Sequence, residues 1–219
     1  MPETVEEGGL LGRAGQIGRV LTRFGLDARK AASPADRARR MRETLEELGP
    51  TFAKLGQILS TRPDLVTPEV TEELAKLQDA VAPLTEEQVV RVMEQELRVP
   101  WEDVFESIEP APLAAGTIGQ VHRATLEGGE RVVVKVQRPN AREEITRDLG
   151  LLELFAEKAL ERETLRGAVD IPALVKHLAD SLRRELDFLQ EAANTERMRE
   201  VLAPYDRLDV PRGHRELST

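Results

Sequence analysis

The stretch PLAAGTIGQVHRATLEGGERVVVKVQRP, residues 112–139, decides the fold of this chain. Its β-branched residues and short alternations predict two strands, Thr117–Leu126 and Arg131–Gln137. Between them, Glu127–Glu130 contains two adjacent glycines and is typical of the tight turn of a β-hairpin. A third strand is predicted at Phe105–Glu109. The sequence therefore predicts a small antiparallel sheet.

Lys135 stands among valines in the second strand of the hairpin. The alternation of a strand places Val133 on the same side as Lys135 and three further valines on the other side. Valine on both sides predicts that the strand is covered on both faces. Burying an unpaired ammonium group is very costly, so this lysine must reach an anion or the solvent. Two hypotheses follow: Lys135 binds an anionic ligand, or it lies near the strand end and extends into water.

A loop of small residues precedes the hairpin: Ala114, Ala115, Gly116 and Thr117. Small side chains let backbone N–H groups approach a phosphate closely, although they also fill many ordinary turns. A small-residue loop, a strand, a tight turn and V-x-V-K on the next strand is the order of the protein-kinase N-terminal lobe. There the lysine binds the α- and β-phosphates of ATP and pairs with a glutamate on a following helix. The candidate segment for that helix is Arg183–Asn194.

Apolar residues recur at helical spacing from Leu10 to about Leu97. The first segment is a basic amphipathic helix, which either lies on an anionic membrane or packs its apolar stripe on the rest of the protein. Further helices are predicted to begin at Ser33–Pro34, at Thr67–Pro68 and at Thr85–Gln88, the last with a capping box.

After the sheet the helical pattern returns. One helix is predicted over Ala141–Arg162, and a single longer one from Asp170 to about Leu202. A short strand is expected at Arg207–Val210, and the sequence stops soon after it at Thr219. Because a strand needs neighbours, this order predicts the front part of a longer chain.

The predicted helix around TFAKLGQILS carries an unusual polar pair. Lys54 and Gln57 are three residues apart and share a neighbouring face, with Gly56 beside them. Glycine inside a helix costs about 1 kcal/mol relative to alanine, which favours a packing reason for its presence. The pair either serves a binding site or belongs to a solvated polar face.

Composition excludes several functional classes. The 219 residues include 40 acidic and 31 basic ones, and the net charge of -9 argues against a nucleic-acid partner. The absence of cysteine excludes disulfides and thiolate metal sites, and His122, His177 and His214 are too scattered to predict a metal site. No apolar run is long enough for a membrane span, and the acidic start is unlike a secretory signal. We therefore expect a cytoplasmic protein, with peripheral attachment to a membrane as a further option.

Four motifs, in order, resemble those of the UbiB/AarF family of atypical kinase-like proteins. They are KLGQ at residues 54–57, PLAAGTIGQVHRA at 112–124, VVVKVQRP at 132–139 and ELDFLQEAAN at 185–194. The resemblance covers roughly Gly49 to Thr219. It is specific because the four separate motifs agree in sequence and in order.

The resemblance implies an α+β fold, in which a helical N-terminal extension packs on a small antiparallel-sheet, kinase-like N-lobe and the C-lobe is absent. It also implies three parts along the chain. Residues 1–32 would be an amphipathic segment, residues 33–99 a helical extension with the K-x-G-Q motif, and residues 100–219 an incomplete kinase-like N-lobe.

The resemblance further implies a nucleotide site for ATP or ADP. Ala114–Thr117 would cover the phosphates, Lys135 would bind the α- and β-phosphates, and Glu191 would orient Lys135. The family's loop usually has alanines and a serine where this chain has Gly116 and Thr117. Because glycine relaxes the backbone limits that alanine imposes, we hypothesise that the loop grips nucleotide more like an ordinary kinase.

A second set of residues is implied to gate the cleft: Lys54 and Gln57 of K-x-G-Q, with Glu185 and Asp187 of the family's E-x-D motif. Helical spacing puts Asp187 and Glu191 on one face but separates Glu185 from Asp187. Glu185 would therefore need a helix distortion or a longer reach to join Lys54. The alternative is that these acids only form part of a charged helix.

Phosphoryl transfer also needs a catalytic-loop aspartate and a D-F-G aspartate, and neither motif occurs in this sequence. We therefore expect no catalytic residue and no metal ligand in this fragment, with Mg²⁺ held by the missing C-lobe, and the question of enzymatic activity stays open. By resemblance, the chain is the nucleotide-binding half of a UbiB-like atypical kinase or ATPase linked to ubiquinone or other isoprenoid-lipid metabolism. An isoprenoid lipid or a membrane surface is a further candidate partner. The alternative is a non-catalytic lipid-binding or adaptor module.

Overall fold

A computed structural model describes residues 7–77, 82–160 and 170–219. Within these ranges the chain forms eight helices and an antiparallel sheet of four strands, which confirms the predicted α+β class. The helices are α1 (Glu7–Arg29), α2 (Pro34–Leu48), α3 (Pro50–Ser60), α4 (Pro68–Leu74), α5 (Glu86–Leu97), α6 (Ala141–Leu160), α7 (Ile171–Glu185) and α8 (Phe188–Leu202). The strands are β1 (Phe105–Ile108), β2 (Ala114–Ala115), β3 (Gly119–Leu126) and β4 (Arg131–Gln137).

The chain divides into two compact units, each assembled from two stretches of sequence. The first unit comprises Met1–Asp79 and Arg142–Leu182, and the second comprises Ala80–Ala141 and Arg183–Thr219. The three-part division along the chain remains a prediction.

All three predicted helix starts are confirmed, and two of them have side-chain capping bonds; α4 begins at Pro68 without one. The Ser33 hydroxyl accepts a hydrogen bond from the backbone N–H of Asp36 and so caps α2. Thr85 and Gln88 form the capping box of α5, because each side chain accepts from the other residue's backbone N–H. Such bonds satisfy the N–H groups that a helix start leaves without partners.

An apolar core of the first unit joins helices α1 to α4 with α6. Helix α1 contributes Ile17 and Val20 to it, so this part of its apolar stripe packs on the protein. The other buried members are Leu45, Leu48, Phe52, Ala53, Leu74, Leu77 and Leu151. Among the residues that the structure describes, no helix is both long and apolar enough to cross a membrane.

Packing in this core explains why residue 56 of α3 is a glycine. A Cβ atom at this position would lie 2.2 Å from Leu77 Cδ1 and 2.9 Å from Leu45 Cδ1, far inside van der Waals contact. The glycine thus allows α3 to pack closely against its neighbours within the first unit. This is the packing reason that the sequence predicted for a glycine inside a helix.

The second unit holds the sheet, whose central strand is β3. Strand β4 pairs along β3 from Gly119–Gln137 to Thr125–Arg131, while β1 and β2 pair with the ends of β3 along its other edge. At the turn into β4, Gly128 and Gly129 have φ values of 113° and 86°. These left-handed conformations favour glycine and confirm the predicted hairpin.

The two faces of the sheet differ sharply. One face packs Ala124 of β3 and Val136 of β4 against Val89 and Met93 of α5. The other face is open: Val133 is 58% exposed. The prediction that β4 is covered on both faces is therefore wrong. Helix α5 packs on the Ala124–Val136 side, whereas on the other side α8 contacts Lys135 and leaves Val133 exposed.

Three further elements differ from the sequence prediction. The single helix expected from Asp170 to Leu202 is broken after Glu185, and α8 restarts at Phe188. No strand forms at Arg207–Val210, which is turn and coil. The short strand β2 was not predicted; it pairs with β3 although it is only two residues long. The last part of the helix predicted to Arg162 lies outside the described residues.

Candidate functional site

Lys135 and Glu191 meet on the open side of the sheet. Lys135 lies at the middle of β4, and its Nζ atom is 2.5 Å from Glu191 Oε2 on the first turn of α8. The two side chains are 39% and 50% exposed, so the pair faces solvent rather than a core. The structure thus brings together the lysine and the glutamate that the resemblance paired, with the ammonium group accessible to a ligand.

Phe188 completes this arrangement and was missed by the sequence analysis. The Lys135 Nζ atom lies 4.5 Å from the centroid of the Phe188 ring, a distance suited to a cation–π contact. A Cβ atom on Gly119 would lie 3.4 Å from the same ring and 2.7 Å from the Val136 carbonyl oxygen. An isolated glycine within a strand pattern was the signal available, since it often marks such a close approach.

An apolar strip lies beside Lys135 on the same face of the sheet. Val121 is paired directly with Lys135, and Arg123 is paired with Val133. Direct partners in an antiparallel pair project to the same side, so Val121 and Val133 adjoin the ammonium group. The open face therefore combines a cation with an apolar surface on which a planar group can lie.

A cleft of about 910 Å³ lies over this face, within the second unit. Its walls include Val133, Lys135, Phe188 and Glu191, together with residues of the final segment from Pro211 to Thr219. Small-molecule sites in proteins have volumes of about 300–1,000 Å³, so the cleft has room for a nucleotide.

The small-residue loop folds as a tight turn between β2 and β3. The N–H group of Gly116 donates to the Gly119 carbonyl at 2.8 Å, so it is not directed at a ligand. The Gly116 carbonyl in turn accepts from Arg138 Nε at 2.8 Å, and Arg138 Nη2 donates to the Ala82 carbonyl. Ala114 and Ala115 form β2, and Thr117 lies in the turn. The loop is therefore held by its own hairpin and by Arg138.

Arg138 sits at the end of β4 without a carboxylate among its described partners. It donates through its side chain to carbonyl oxygens, and its backbone N–H donates to the Ile118 carbonyl at 2.8 Å. Burial lowers the pKa of Arg138 from its usual range. A guanidinium group of this kind adds positive charge beneath the loop. The VVVKVQRP motif contains Arg138, but the sequence analysis assigned it no role.

Asp187 lies in the break between α7 and α8. Its Oδ1 atom accepts from the backbone N–H of Gln190 at 2.8 Å and so caps α8. Glu185 is the last residue of α7, so the distortion that the E-x-D spacing required lies between these two acids. The pattern of an aspartate followed three residues later by glutamine was a usable signal for a helix start.

Lys54 and Gln57 belong to α3 of the first unit. Both side chains are half-buried, and Gln57 Nε2 donates to the Leu77 carbonyl at 3.2 Å. Their relation to Glu185 and Asp187 stays a prediction. In the described part of the chain, no group of three or more histidine or acidic side chains is arranged to hold a metal ion.

The sequence profile of the ABC1 atypical kinase-like domain matches residues 76–219. The chain belongs to this family. Two plainly similar relatives are the Arabidopsis thaliana protein ACTIVITY OF BC1 COMPLEX KINASE 7, chloroplastic, and the probable protein kinase UbiB of Azotobacter vinelandii. The first is 42% identical over 171 residues, which are 78% of this chain and 24% of the relative. The second is 38% identical over 195 residues, which are 89% of this chain and 36% of the relative.

A solved structure is also similar to this ABC1-family chain. It is the Rv3197–erythromycin complex from Mycobacterium tuberculosis, which is 30% identical and has a TM-score of 0.50. The match covers 77% of this chain and 42% of that chain. The relatives' names, which include UbiB and aarF domain-containing kinase, confirm the resemblance drawn from the four motifs. The chain spans only about a quarter to a third of the length of the curated relatives it matches.

Proposed function

We propose that this chain binds the phosphates of an adenine nucleotide at Lys135, as the N-terminal half of a UbiB-like atypical kinase or ATPase. The observation that carries the proposal is the exposed Lys135–Glu191 pair at the edge of a cleft. An acidic partner holds the ammonium group in place, and an exposed ammonium can exchange that partner for a phosphate oxygen. The kinase-like domain of the family agrees with a nucleotide ligand in general.

The neighbouring groups support the rest of the ligand. Val121 and Val133 offer an apolar surface for the base, and Ala114–Thr117 forms the turn proposed to cover the phosphates. Arg138 adds positive charge behind that turn. Mg²⁺ would neutralise phosphate charge when bound with ATP or ADP, and we assign it no ligand among these residues. Lys54, Gln57 and Glu185 are proposed to gate the cleft. The resemblance implies the same role for Asp187, and capping of α8 is the alternative role for that residue.

Nucleotide binding is tested by comparing ADP with adenosine by isothermal titration calorimetry on the 219-residue chain. Charged hydrogen bonds contribute about 1.5–3 kcal/mol, so Lys135→Met is expected to weaken ADP binding about tenfold or more. The affinity for adenosine is expected to change little. Lys176→Met is the matched control, because it removes the same charge from an exposed position on α7. Equal affinity of the unaltered chain for ADP and adenosine would contradict the proposal.

The activity of the whole protein is proposed from its family. We propose an ATPase or small-molecule kinase acting near ubiquinone or other isoprenoid lipids. The name UbiB among the relatives supports this link. Neither a catalytic-loop motif nor D-F-G occurs in the 219 residues, so the chemistry that we assign to this chain is nucleotide binding.

A lipid-binding or adaptor role is the second candidate, and α1 carries the observation that favours it. Leu11, Leu21 and Leu26 are exposed on this helix, while Ile17 and Val20 are buried. Replacing the three exposed leucines by serine leaves the buried stripe intact. Loss of flotation with anionic liposomes in that variant, together with no nucleotide binding by the parent chain, would favour the adaptor role.

A further inference from the structure

The break between α7 and α8 rests on an exchange of hydrogen bonds. In a continuous helix the Leu186 carbonyl would accept from the Gln190 N–H. Here the Gln190 N–H donates to Asp187 Oδ1 at 2.8 Å instead. The Leu186 carbonyl accepts from Gln137 Nε2 of β4 at 3.2 Å. The strand and the Asp187 side chain thus each supply one of the partners that a continuous helix would have supplied itself.

This exchange determines where α8 begins and which way its first turn faces. With Asp187 as the cap, Phe188 is the first helical residue and packs on Gly119. Glu191 follows on the same turn, and its N–H donates to the Asp187 carbonyl at 3.1 Å. Residues three apart on a helix lie on one side, so Phe188 and Glu191 approach Lys135 together.

We propose that Asp187 is a positioning residue, which aims Glu191 and Phe188 at Lys135 by capping α8 and makes no contact with ligand itself. Gln137 has the complementary role, because its amide satisfies the Leu186 carbonyl. Asp187 would thus fix the surroundings of the lysine in the proposed nucleotide site, and this role rests on the proposed function only where ligand affinity is measured.

Capping and cleft-gating make opposite demands on residue 187. A cap needs only a short side chain that accepts a hydrogen bond, so asparagine and serine can replace aspartate. A gating or ligand-binding carboxylate needs its negative charge, which both replacements remove. Asp187→Asn and Asp187→Ser are therefore expected to keep the Lys135 reactivity and the ADP preference of the parent chain. Asp187→Ala is expected to change both.

The first measurement needs no nucleotide. The rate of Lys135 acetylation by a soluble N-hydroxysuccinimide ester is followed by peptide mass spectrometry, with exposed Lys176 as the internal reference. Loss of a helix cap shifts the helix-start equilibrium about fivefold, so Asp187→Ala should raise the Lys135 rate by up to about that factor. Glu191→Gln supplies the rate of an unpaired Lys135. If Asp187→Ala fails to fold, Gln137→Met tests the same break from the strand side and should raise the rate too.

The second measurement compares ADP and adenosine affinities in the same variants. Asp187→Ala should reduce the preference for ADP, while Asp187→Asn and Asp187→Ser keep it. If the parent chain does not prefer ADP to adenosine, the proposed nucleotide function is contradicted. The acetylation rates still test the role of Asp187 in that case. The positioning role is overturned if Asp187→Asn raises the Lys135 rate as much as Asp187→Ala, or if neither Asp187→Ala nor Gln137→Met changes it.

Discussion

Two ion pairs join distant parts of this chain in opposite surroundings. In the first unit, Arg13 donates to both carboxylate oxygens of Asp148 at 2.7 Å, and their side chains are only 13% and 2% exposed. In the second unit, Lys135 and Glu191 are also in contact, but about four-tenths and half of their side-chain surfaces face solvent. The charges are similar, and the difference lies in how much water surrounds them.

That difference separates a structural role from a functional one. Arg13 also donates to the Leu48 carbonyl and lies 6.0 Å from the centroid of the Phe52 ring, and hydrogen bonds to Asp148 raise its pKa. The Arg13 guanidinium therefore spends its hydrogen bonds on partners inside the first unit. Lys135 instead keeps its ammonium group on an open face, where an exposed pair contributes little to stability. The open position of this pair is compatible with the proposed phosphate site.

The largest expected effect is on the buried pair. Removing one partner of a buried ion pair leaves an uncompensated charge and costs about 3–5 kcal/mol, so Asp148→Ala should destabilise the first unit by that amount. Urea unfolding followed by circular dichroism at a helical wavelength measures it. The double variant Arg13→Met with Asp148→Leu removes both charges and should recover most of the loss. A loss below about 1 kcal/mol in Asp148→Ala would show that water reaches the pair.

The next effect contrasts two glycines, one in each unit. A Cβ atom at Gly119 would lie 2.7 Å from the backbone carbonyl of Val136, which cannot move without distorting the sheet. Overpacking of this kind costs about 1–3 kcal/mol, so Gly119→Ala should destabilise the second unit by that amount. Gly56→Ala meets only the ends of leucine side chains and gains helix propensity, so it should cost less. The same urea experiment measures both, and a greater loss for Gly56→Ala would reverse this ranking.

A smaller effect is expected for the exposed pair. A double-mutant cycle of Lys135→Met and Glu191→Gln should give a coupling free energy of about 0.2–1 kcal/mol, because both charges are well hydrated. The coupling should fall further as sodium chloride is raised, since salt screens exposed charges. A coupling above about 2 kcal/mol that resists salt would place the pair with Arg13–Asp148 as a structural feature.

The sequence predicted helix starts and turns correctly wherever a few adjacent residues determine the structure. Ser33 and the Thr85–Gln88 capping box marked helix starts, and two adjacent glycines marked the hairpin turn. The pairing of Lys135 with Glu191 followed from family motifs, because the two residues are 56 positions apart and no local pattern joins them.

The rest depended on contacts that no local pattern contains. The periodicity around residue 187 is helical, whereas at the break the Leu186 carbonyl accepts a hydrogen bond from the amide of Gln137, a strand residue 49 positions away. Alternating valines predicted a strand covered on both faces, but whether a partner covers the Val133 side is decided by tertiary packing. Arg138 lies in the VVVKVQRP motif, but its role arises only where the turn at Gly116 folds back over the end of β4.

Gly116→Ala is expected to change stability least, and its main effect should be on ADP affinity. Among the described glycines, the positive φ values belong to Gly49, Gly128 and Gly129, so Gly116→Ala should not strain the backbone. Its urea midpoint should stay near that of the parent chain. ADP affinity should change, because alanine narrows the range of backbone conformations that the turn can adopt around a ligand. Arg91→Ala, at an exposed position on α5, is the control for a distant substitution. Unchanged ADP affinity in Gly116→Ala would contradict the hypothesis that this loop binds nucleotide like that of an ordinary kinase. The turn would then have only a structural role, held by Arg138.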